Sequence, residues 1–157
     1  MEKPSNPVAS PGEGFRESTA RAARVLVVED QRHLSRFFQF VLESAGYDVR
    51  VAYDGEQALA AVEAFRPDAL LLDLVLPGMS GREVLRCLRA NHIHKDLAIV
   101  MLLSSCNPSL CVELREAGAN SHCTKPIAPG TLLEKLEEVS VPARRPQVAN
   151  RHFSAER

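Results

Sequence analysis

The sequence predicts an α/β fold, a doubly wound five-stranded parallel sheet covered by helices on both faces. Short apolar runs alternate five times with segments whose apolar residues recur at helical spacing. The apolar runs are continuous rather than alternating with polar residues, which is typical of strands buried on both faces. Parallel strands need a crossover between them, and a helix is the usual one.

Each predicted strand is a short apolar run bounded by polar or turn-forming residues. The first is β-branched and ends abruptly in Glu29-Asp30, and the run of residues 97–103 is the most apolar of all. The five predicted strands cover residues 25–28, 47–52, 68–72, 97–103 and 121–124.

The first two helices follow from apolar residues three and four positions apart. In the first helix Leu34 and Phe38 belong to such a stripe, which closes at Gly46. The second helix covers residues 55–65 and ends before Pro67.

The remaining three helices are marked mainly by their ends. The third follows the turn at Pro77-Gly78. The fourth begins at Asn107, a good capping residue followed by proline, and ends at Gly118. The fifth is predicted over residues 131–139.

Composition indicates one domain of ordinary character. The chain has 157 residues, of which 45% are hydrophobic and 25% charged, with a formal net charge of −1. We expect a disordered leader over residues 1–23, one domain over residues 24–140 and a short basic, disordered tail over residues 141–157. The near-zero charge gives no sign of a nucleic-acid partner, and no apolar run has the length of about 18 residues that spans a membrane.

Cysteine usage agrees with a cytoplasmic location. Nothing near the N-terminus has the layout of a secretory signal, so we expect reduced thiols. The four cysteines form no CxxC pair and are interpreted as small buried apolar residues. Cys106 and Cys111 fall in or near the fourth helix.

Polar residues stand where the predicted strands end. Glu29-Asp30 follows the first strand, Asp73 the third and Lys125 the fifth. Because the carboxyl ends of parallel strands meet at one edge, we expect these side chains to converge. Clustered carboxylates repel one another, and a hard cation such as Mg²⁺ relieves the repulsion. With Lys125 facing the same place, this is a phosphoryl-transfer arrangement.

Four motifs occur in an order that is specific to one family. They are V-L-V-V-E-D at 25–30, L-L-D-L-V-L-P-G-M-S-G at 71–81, G-A-N at 118–120 and K-P at 125–126. With these motifs the chain resembles the CheY-like receiver domain of two-component response regulators. The resemblance covers about residues 24–139 and implies a flavodoxin-like (βα)5 three-layer sandwich.

The resemblance implies a role for each strand-end residue. Asp73 would be the phosphoacceptor. Glu29, Asp30 and Asp73 would hold Mg²⁺, with the backbone carbonyl of Val75 as a further ligand. Lys125 would contact the phosphoryl group.

The resemblance also concerns the backbone near these residues. The peptide bond between Lys125 and Pro126 would be cis, and Pro77 and Gly81 would shape the loop after the acceptor.

Two positions depart from the family pattern. Leu103 occupies the position where the family has Ser or Thr to contact the phosphoryl group. Ser104 and Ser105 follow it, and a small shift in register would let Ser104 make the contact; both alternatives stay open. The second departure is His122, at the position of the family's aromatic switch residue.

The favoured function is that of a single-domain receiver. It would accept a phosphoryl group on Asp73 from a sensor histidine kinase or a histidine phosphotransfer protein, and then bind an unknown downstream protein. We expect a monomer or weak homodimer with no room for an output domain after residue 140. It would be no enzyme beyond its own phosphoryl acceptance and slow autodephosphorylation.

Two other functions compete with this one. Leu103 and His122 favour a degenerate receiver that acts as a phosphorylation-independent interaction module. A phosphatase resembling the haloacid dehalogenase group would need a second Asp two residues after the nucleophile, where this chain has Val75. That possibility is nearly excluded.

Overall fold

Five parallel strands form the centre of the molecule. The computed structural model describes residues 21–139 and residue 141. The sheet has the strand order β2-β1-β3-β4-β5, and all neighbouring strands are parallel. The strands are β1 (Arg24–Val28), β2 (Asp48–Ala52), β3 (Ala69–Asp73), β4 (Ala98–Leu103) and β5 (Ser121–Thr124).

Helices cover both faces of the sheet, as predicted. They are α1 (Arg32–Ser44), α2 (Gly55–Phe65), α3 (Gly81–Ala90), α4 (Pro108–Glu116) and α5 (Pro129–Glu138), with a short 3-10 helix at His92–His94. Helices α1 and α5 pack in one hydrophobic core, and α2, α3 and α4 pack in the other. The result is the predicted three-layer sandwich.

Alternate residues of each central strand face opposite cores. In β1, Val25 and Val27 belong to the core under α1 and α5, whereas Leu26 and Val28 belong to the other core. Both faces are therefore buried, which explains why the strands are continuous apolar runs. The strand order reverses between β1 and β3, so a crevice is expected at the carboxyl ends of these two strands.

Capping side chains set where several helices begin. The carboxylate of Asp54 accepts from the N–H of Gln57, and Asn107 accepts in the same way from Leu110. Ser80 and Glu83 form a reciprocal capping box at α3. Helix α5 begins at Pro129, two residues before the predicted start, because proline fits the first turn of a helix.

The structure corrects both predicted domain boundaries. Residues 1–20, 140 and 142–157 lie outside the described part of the chain. Arg21 belongs to the predicted disordered leader, but its guanidinium pairs with the carboxylate of Asp68 at 2.9 Å. Val141 was assigned to the tail and is instead buried in the core. Its carbonyl accepts a hydrogen bond of 2.6 Å from the hydroxyl of Tyr47, so burial and this bond hold it against the domain.

The interpretation of all four cysteines as buried, reduced residues is wrong for three of them. Cys123 is buried, but Cys87 is exposed. Cys106 and Cys111 are joined by a disulfide, since the start of α4 brings their Cα atoms to 6.5 Å, within disulfide reach. Among the described residues, no helix has the length and apolar character needed to cross a membrane.

Asp68 holds the start of β1 in place. Its side chain accepts from the N–H of Arg24 at 2.8 Å, and its own N–H donates to the carbonyl of Arg24 at 2.8 Å. Burial acts to raise the pKa of Asp68, but the hydrogen bonds from Arg21 and Arg24 outweigh it and hold the pKa below its ordinary value. A lowered carboxyl pKa adds stability that is present at neutral pH and is lost as the pH falls through the lowered pKa.

We therefore predict that Asp68→Asn lowers the free energy of unfolding by about 1 kcal/mol at neutral pH. Below the lowered pKa, wild type and variant should converge. Urea unfolding at a series of pH values measures both effects, with Asp96→Asn, an exposed carboxylate before β4, as the matched control. If the difference in unfolding free energy between wild type and Asp68→Asn did not change with pH, the stabilising role of the Asp68 charge would be contradicted.

Candidate functional site

Three carboxylates converge at the carboxyl edge of the sheet. Glu29 and Asp30 follow β1, and Asp73 is the last residue of β3. One carboxylate oxygen from each lies within 4.8 Å of the other two. Glu29 is 0% exposed and Asp73 is 3% exposed, whereas Asp30 is exposed. The predicted convergence is thus observed.

Lys125 bridges the two buried carboxylates. Its ammonium Nζ donates to Glu29 Oε2 at 2.5 Å and to Asp73 Oδ2 at 2.7 Å. The backbone N–H of Lys125 donates to the carbonyl of Leu103 at 2.7 Å, which fixes the residue just beyond β5. The bond to Pro126 is cis, as the resemblance implied.

Burial and charge act against each other in this cluster. Burial raises the pKa of Glu29, although hydrogen bonds from Lys125 and the N–H of Gln31 act to lower it. Burial acts to lower the pKa of Lys125, but the bonds to Asp73 and Glu29 outweigh it and raise the pKa. Lys125 is therefore an ammonium at neutral pH.

The donor set fits Mg²⁺. Three carboxylates against one ammonium leave an excess of negative charge, and Asp30 opens the cluster to solvent. Oxygen ligands of this kind, completed by water and phosphate oxygens, are what Mg²⁺ prefers. Glu29, Asp30 and Asp73 would hold the ion. The N–H of Val75 donates to Asp73 Oδ1 at 3.1 Å, while the role of the Val75 carbonyl stays a prediction.

Gly81 allows helix α3 to begin directly against the backbone of Asp73. A Cβ at Gly81 would lie 2.0 Å from the carbonyl oxygen of Asp73, so only glycine fits without a shift. The N–H of Gly81 donates to the carbonyl of Leu74 at 2.9 Å and closes the loop. This contact explains the glycine that the resemblance pointed to.

Leu103 keeps the strand-end position that the family gives to a hydroxyl residue. The pairing of β3 with β4 runs without interruption to Asp73 opposite Leu102, so no shift in register occurs along it. Leu103 is fully buried in the core, and Ser104 and Ser105 lie exposed in the loop beyond it. The contact predicted for Ser104 stays a prediction.

His122 lies in β5, opposite Met101, and its ring reaches toward α4. Its Nε2 lies 3.6 Å from the sulfur of Cys111 and 3.8 Å from that of Cys106. Sequence reasoning did not link these three residues. The signal available was the position of both cysteines near the fourth helix, but nothing in the sequence shows which way a β5 side chain points.

Comparison with known proteins identifies the family. The family model of the response regulator receiver domain matches residues 25–137. The chain belongs to this family. Receiver domains as a family accept phosphoryl groups with Mg²⁺ from histidine kinases, and the fold described above is theirs.

Among curated relatives, the DNA-binding response regulator MtrA of Mycobacterium tuberculosis is 42% identical over 113 residues, which cover 72% of this chain and 48% of MtrA. The phosphate regulon transcriptional regulatory protein PhoB of Pseudomonas aeruginosa is 34% identical over 115 residues, covering 73% of this chain and 50% of PhoB. The chain therefore spans about half the length of these relatives.

Solved structures give the same fold. The chemotaxis protein CheY4 of Vibrio cholerae superposes with a TM-score of 0.72 at 34% identity, covering 74% of this chain and 98% of CheY4. A receiver domain protein from Methanospirillum hungatei superposes with a TM-score of 0.69 at 29% identity, covering 74% of this chain and 91% of that one.

The bridging role of Lys125 predicts a large effect of its removal. In the absence of Mg²⁺, Lys125→Met should lower the free energy of unfolding by about 3 kcal/mol, because it leaves two buried carboxylates facing each other unpaired. Mg²⁺ should then stabilise the variant more than it stabilises wild type. Thermal unfolding with and without Mg²⁺ measures both.

Lys135→Met is the matched control, since Lys135 pairs with Glu138 at the surface of α5, and this variant should lose less than about 1 kcal/mol of unfolding free energy. Equal losses in the two variants would show that Lys125 does not hold the carboxylates together.

Proposed function

We propose that this chain accepts a phosphoryl group on Asp73 and thereby changes its affinity for a partner protein. The observation that carries the proposal is the 2.7 Å hydrogen bond from the ammonium of Lys125 to Asp73, beside two further carboxylates. The arrangement combines an oxygen nucleophile, a fixed cation and a set of ligands for a hard metal ion. Those are the parts that phosphoryl transfer requires.

The proposed donor is a phosphohistidine of a sensor kinase or of a histidine phosphotransfer protein. An Asp73 oxygen attacks phosphorus, the phosphorus–nitrogen bond breaks, and the electron pair leaves with the histidine ring, which takes up a proton. The product is an acyl phosphate on Asp73. Mg²⁺, when bound, neutralises negative charge on the phosphoryl oxygens.

Lys125 exchanges one acceptor for another during this reaction. Its bond to Asp73 gives way to a bond with a phosphoryl oxygen, while its bond to the fully buried Glu29 keeps the ammonium in the site. The buried Glu29 therefore acts as an anchor for Lys125. Because Asp30 is exposed, the phosphohistidine donor and the metal ion can reach the acidic cluster from solvent.

The proposed output is a change in protein binding at the surface formed by α4, β5 and α5. MtrA and PhoB are named as DNA-binding and transcriptional regulators, but the residues matched here cover about half of each. We place this chain in the cytoplasm as a monomer or weak homodimer, and assign no contact with nucleic acid or membrane to it.

A second candidate function is a phosphorylation-independent interaction module. The buried Leu103 favours it, since an aliphatic side chain there cannot hydrogen-bond to a phosphoryl oxygen and draw the following loop inward. The intact acidic cluster and Lys125 favour the phosphoacceptor, because clustered carboxylates reduce stability and serve no purpose in a scaffold.

Mass spectrometry separates the two functions. After incubation with Mg²⁺ and acetyl phosphate, wild type should gain one phosphoryl group of about 80 Da, and Asp73→Asn should gain none. Asp54→Asn, a capping carboxylate at α2, is the control that should still be labelled. Labelling of Asp73→Asn would overturn the site, and no labelling of wild type would favour the interaction module.

A further inference from the structure

A second group of ligating side chains lies apart from the acidic cluster. Among the described residues, two groups of three such side chains bring their ligand atoms within 4.8 Å of one another, and the second is Cys106, Cys111 and His122. Cys106 lies in the loop before α4, Cys111 in α4 and His122 in β5. The two groups share no residue, so the second stands independently of the phosphoacceptor proposal.

We propose that Cys106, Cys111 and His122 form a zinc site when the two cysteines are reduced. Two thiolates and one imidazole nitrogen would bind Zn²⁺, and a water molecule or a ligand from a partner would complete the tetrahedron. Zinc sites with three protein ligands and a fourth position open to water or substrate are common in proteins. Sulfur ligands also exclude Mg²⁺, which requires oxygen.

The distances around His122 agree with a tetrahedral ion. With zinc–sulfur bonds of about 2.3 Å and zinc–nitrogen bonds of about 2.0 Å, a sulfur and a nitrogen ligand lie about 3.6 Å apart. The Nε2 atom of His122 lies 3.6 Å from Cys111 Sγ and 3.8 Å from Cys106 Sγ. Each sulfur therefore lies near the distance from this nitrogen that a shared ion requires, and reduction of the disulfide would let the two sulfurs separate around the ion.

In the reduced chain, a hydrogen bond alone would hold the three side chains together less well than a metal ion would. A neutral imidazole nitrogen has either one proton to donate or one lone pair to accept with, so Nε2 satisfies one sulfur at a time. A metal ion is shared by all three atoms at once. In the oxidised chain the disulfide keeps both sulfurs near the nitrogen, and after reduction a shared metal ion would take over that role.

The site is reachable from solvent. Cys106 is exposed, and Cys111 and His122 are half-buried. The two sulfurs move apart by rotation of exposed or half-exposed side chains, one of them in a loop. A metal ion and a reductant can therefore both enter without opening either hydrophobic core.

The chemistry of loading has two steps. A dithiol reductant transfers two electrons and two protons to the Cys106–Cys111 disulfide, which becomes two thiols while the reductant becomes a disulfide. On binding Zn²⁺, each cysteine thiol loses its proton, so two protons are released to solvent. In the reverse exchange, a disulfide of a redox partner takes up two electrons and two protons, the Cys106–Cys111 disulfide forms again and the ion is released.

The test is a zinc titration of the full chain, reduced under inert gas with a phosphine and held in excess Mg²⁺ to occupy the acidic cluster. Competition with a coloured zinc chelator measures the affinity. Replacement of Zn²⁺ by Co²⁺ shows thiolate ligation through sulfur-to-metal charge-transfer bands. We expect one zinc ion per chain, and charge-transfer bands with Co²⁺.

Variants assign the ligands. Cys106→Ser and His122→Ala should each lower the affinity at least about tenfold, and Cys87→Ser, which removes an exposed thiol elsewhere, should leave it unchanged. Circular dichroism verifies that each variant is folded, and wild type oxidised to the disulfide is a folded control that should not bind zinc. The proposal would be overturned if reduced wild type did not bind zinc stoichiometrically. It would also be overturned if either ligand variant or the oxidised chain bound zinc as tightly as reduced wild type.

Discussion

The ammonium of Lys125 lies between two carboxylates that the fold has removed from water, and the site depends on it. Glu29 is fully buried and Asp73 nearly so, because both lie at the carboxyl ends of strands that are covered on two faces. Two such charges repel each other and favour protonation. The ammonium of Lys125 offsets this repulsion, because it lies 2.5 Å from Glu29 Oε2 and 2.7 Å from Asp73 Oδ2. As a consequence, Asp73 is already hydrogen-bonded before any reaction. In the proposed reaction, Lys125 would exchange its bond to Asp73 for one to the phosphoryl group while keeping its bond to Glu29.

The end of β4 and the neighbouring strand β5 differ from the usual receiver pattern at Leu103 and His122. Leu103 adds an aliphatic side chain to the core where a hydroxyl would face the phosphoryl group. His122 directs its ring at two sulfurs near the start of α4. The residues to which the resemblance assigns phosphoryl acceptance are present in this chain, whereas the two to which it assigns the connection from Asp73 to α4 differ. A metal ion bound as proposed at these residues would join β5 to the start of α4 without involving Asp73.

The continuous apolar runs were sufficient to predict the sheet and its two buried faces, since such runs are typical of parallel strands covered by helices on both faces. The convergence of Glu29, Asp73 and Lys125 also follows from sequence, because parallel strands end at one edge. The bridge made by Lys125 does not follow, since it depends on the path of a side chain. Val141, assigned to the tail, was mispredicted because its burial depends on a long-range bond with Tyr47. The Cys106, Cys111 and His122 group was missed because it depends on the direction in which the His122 side chain leaves β5.

A double-mutant cycle on Glu29 and Lys125 tests the central claim most directly. If Lys125 is needed because buried carboxylates repel each other, Glu29→Gln should be harmful in wild type, where it removes a partner of Lys125, yet should stabilise the Lys125→Met variant by at least about 1 kcal/mol. Urea unfolding without Mg²⁺ gives the four free energies. Additive effects of the two substitutions would contradict the claim that this ion pair holds the phosphoacceptor site together.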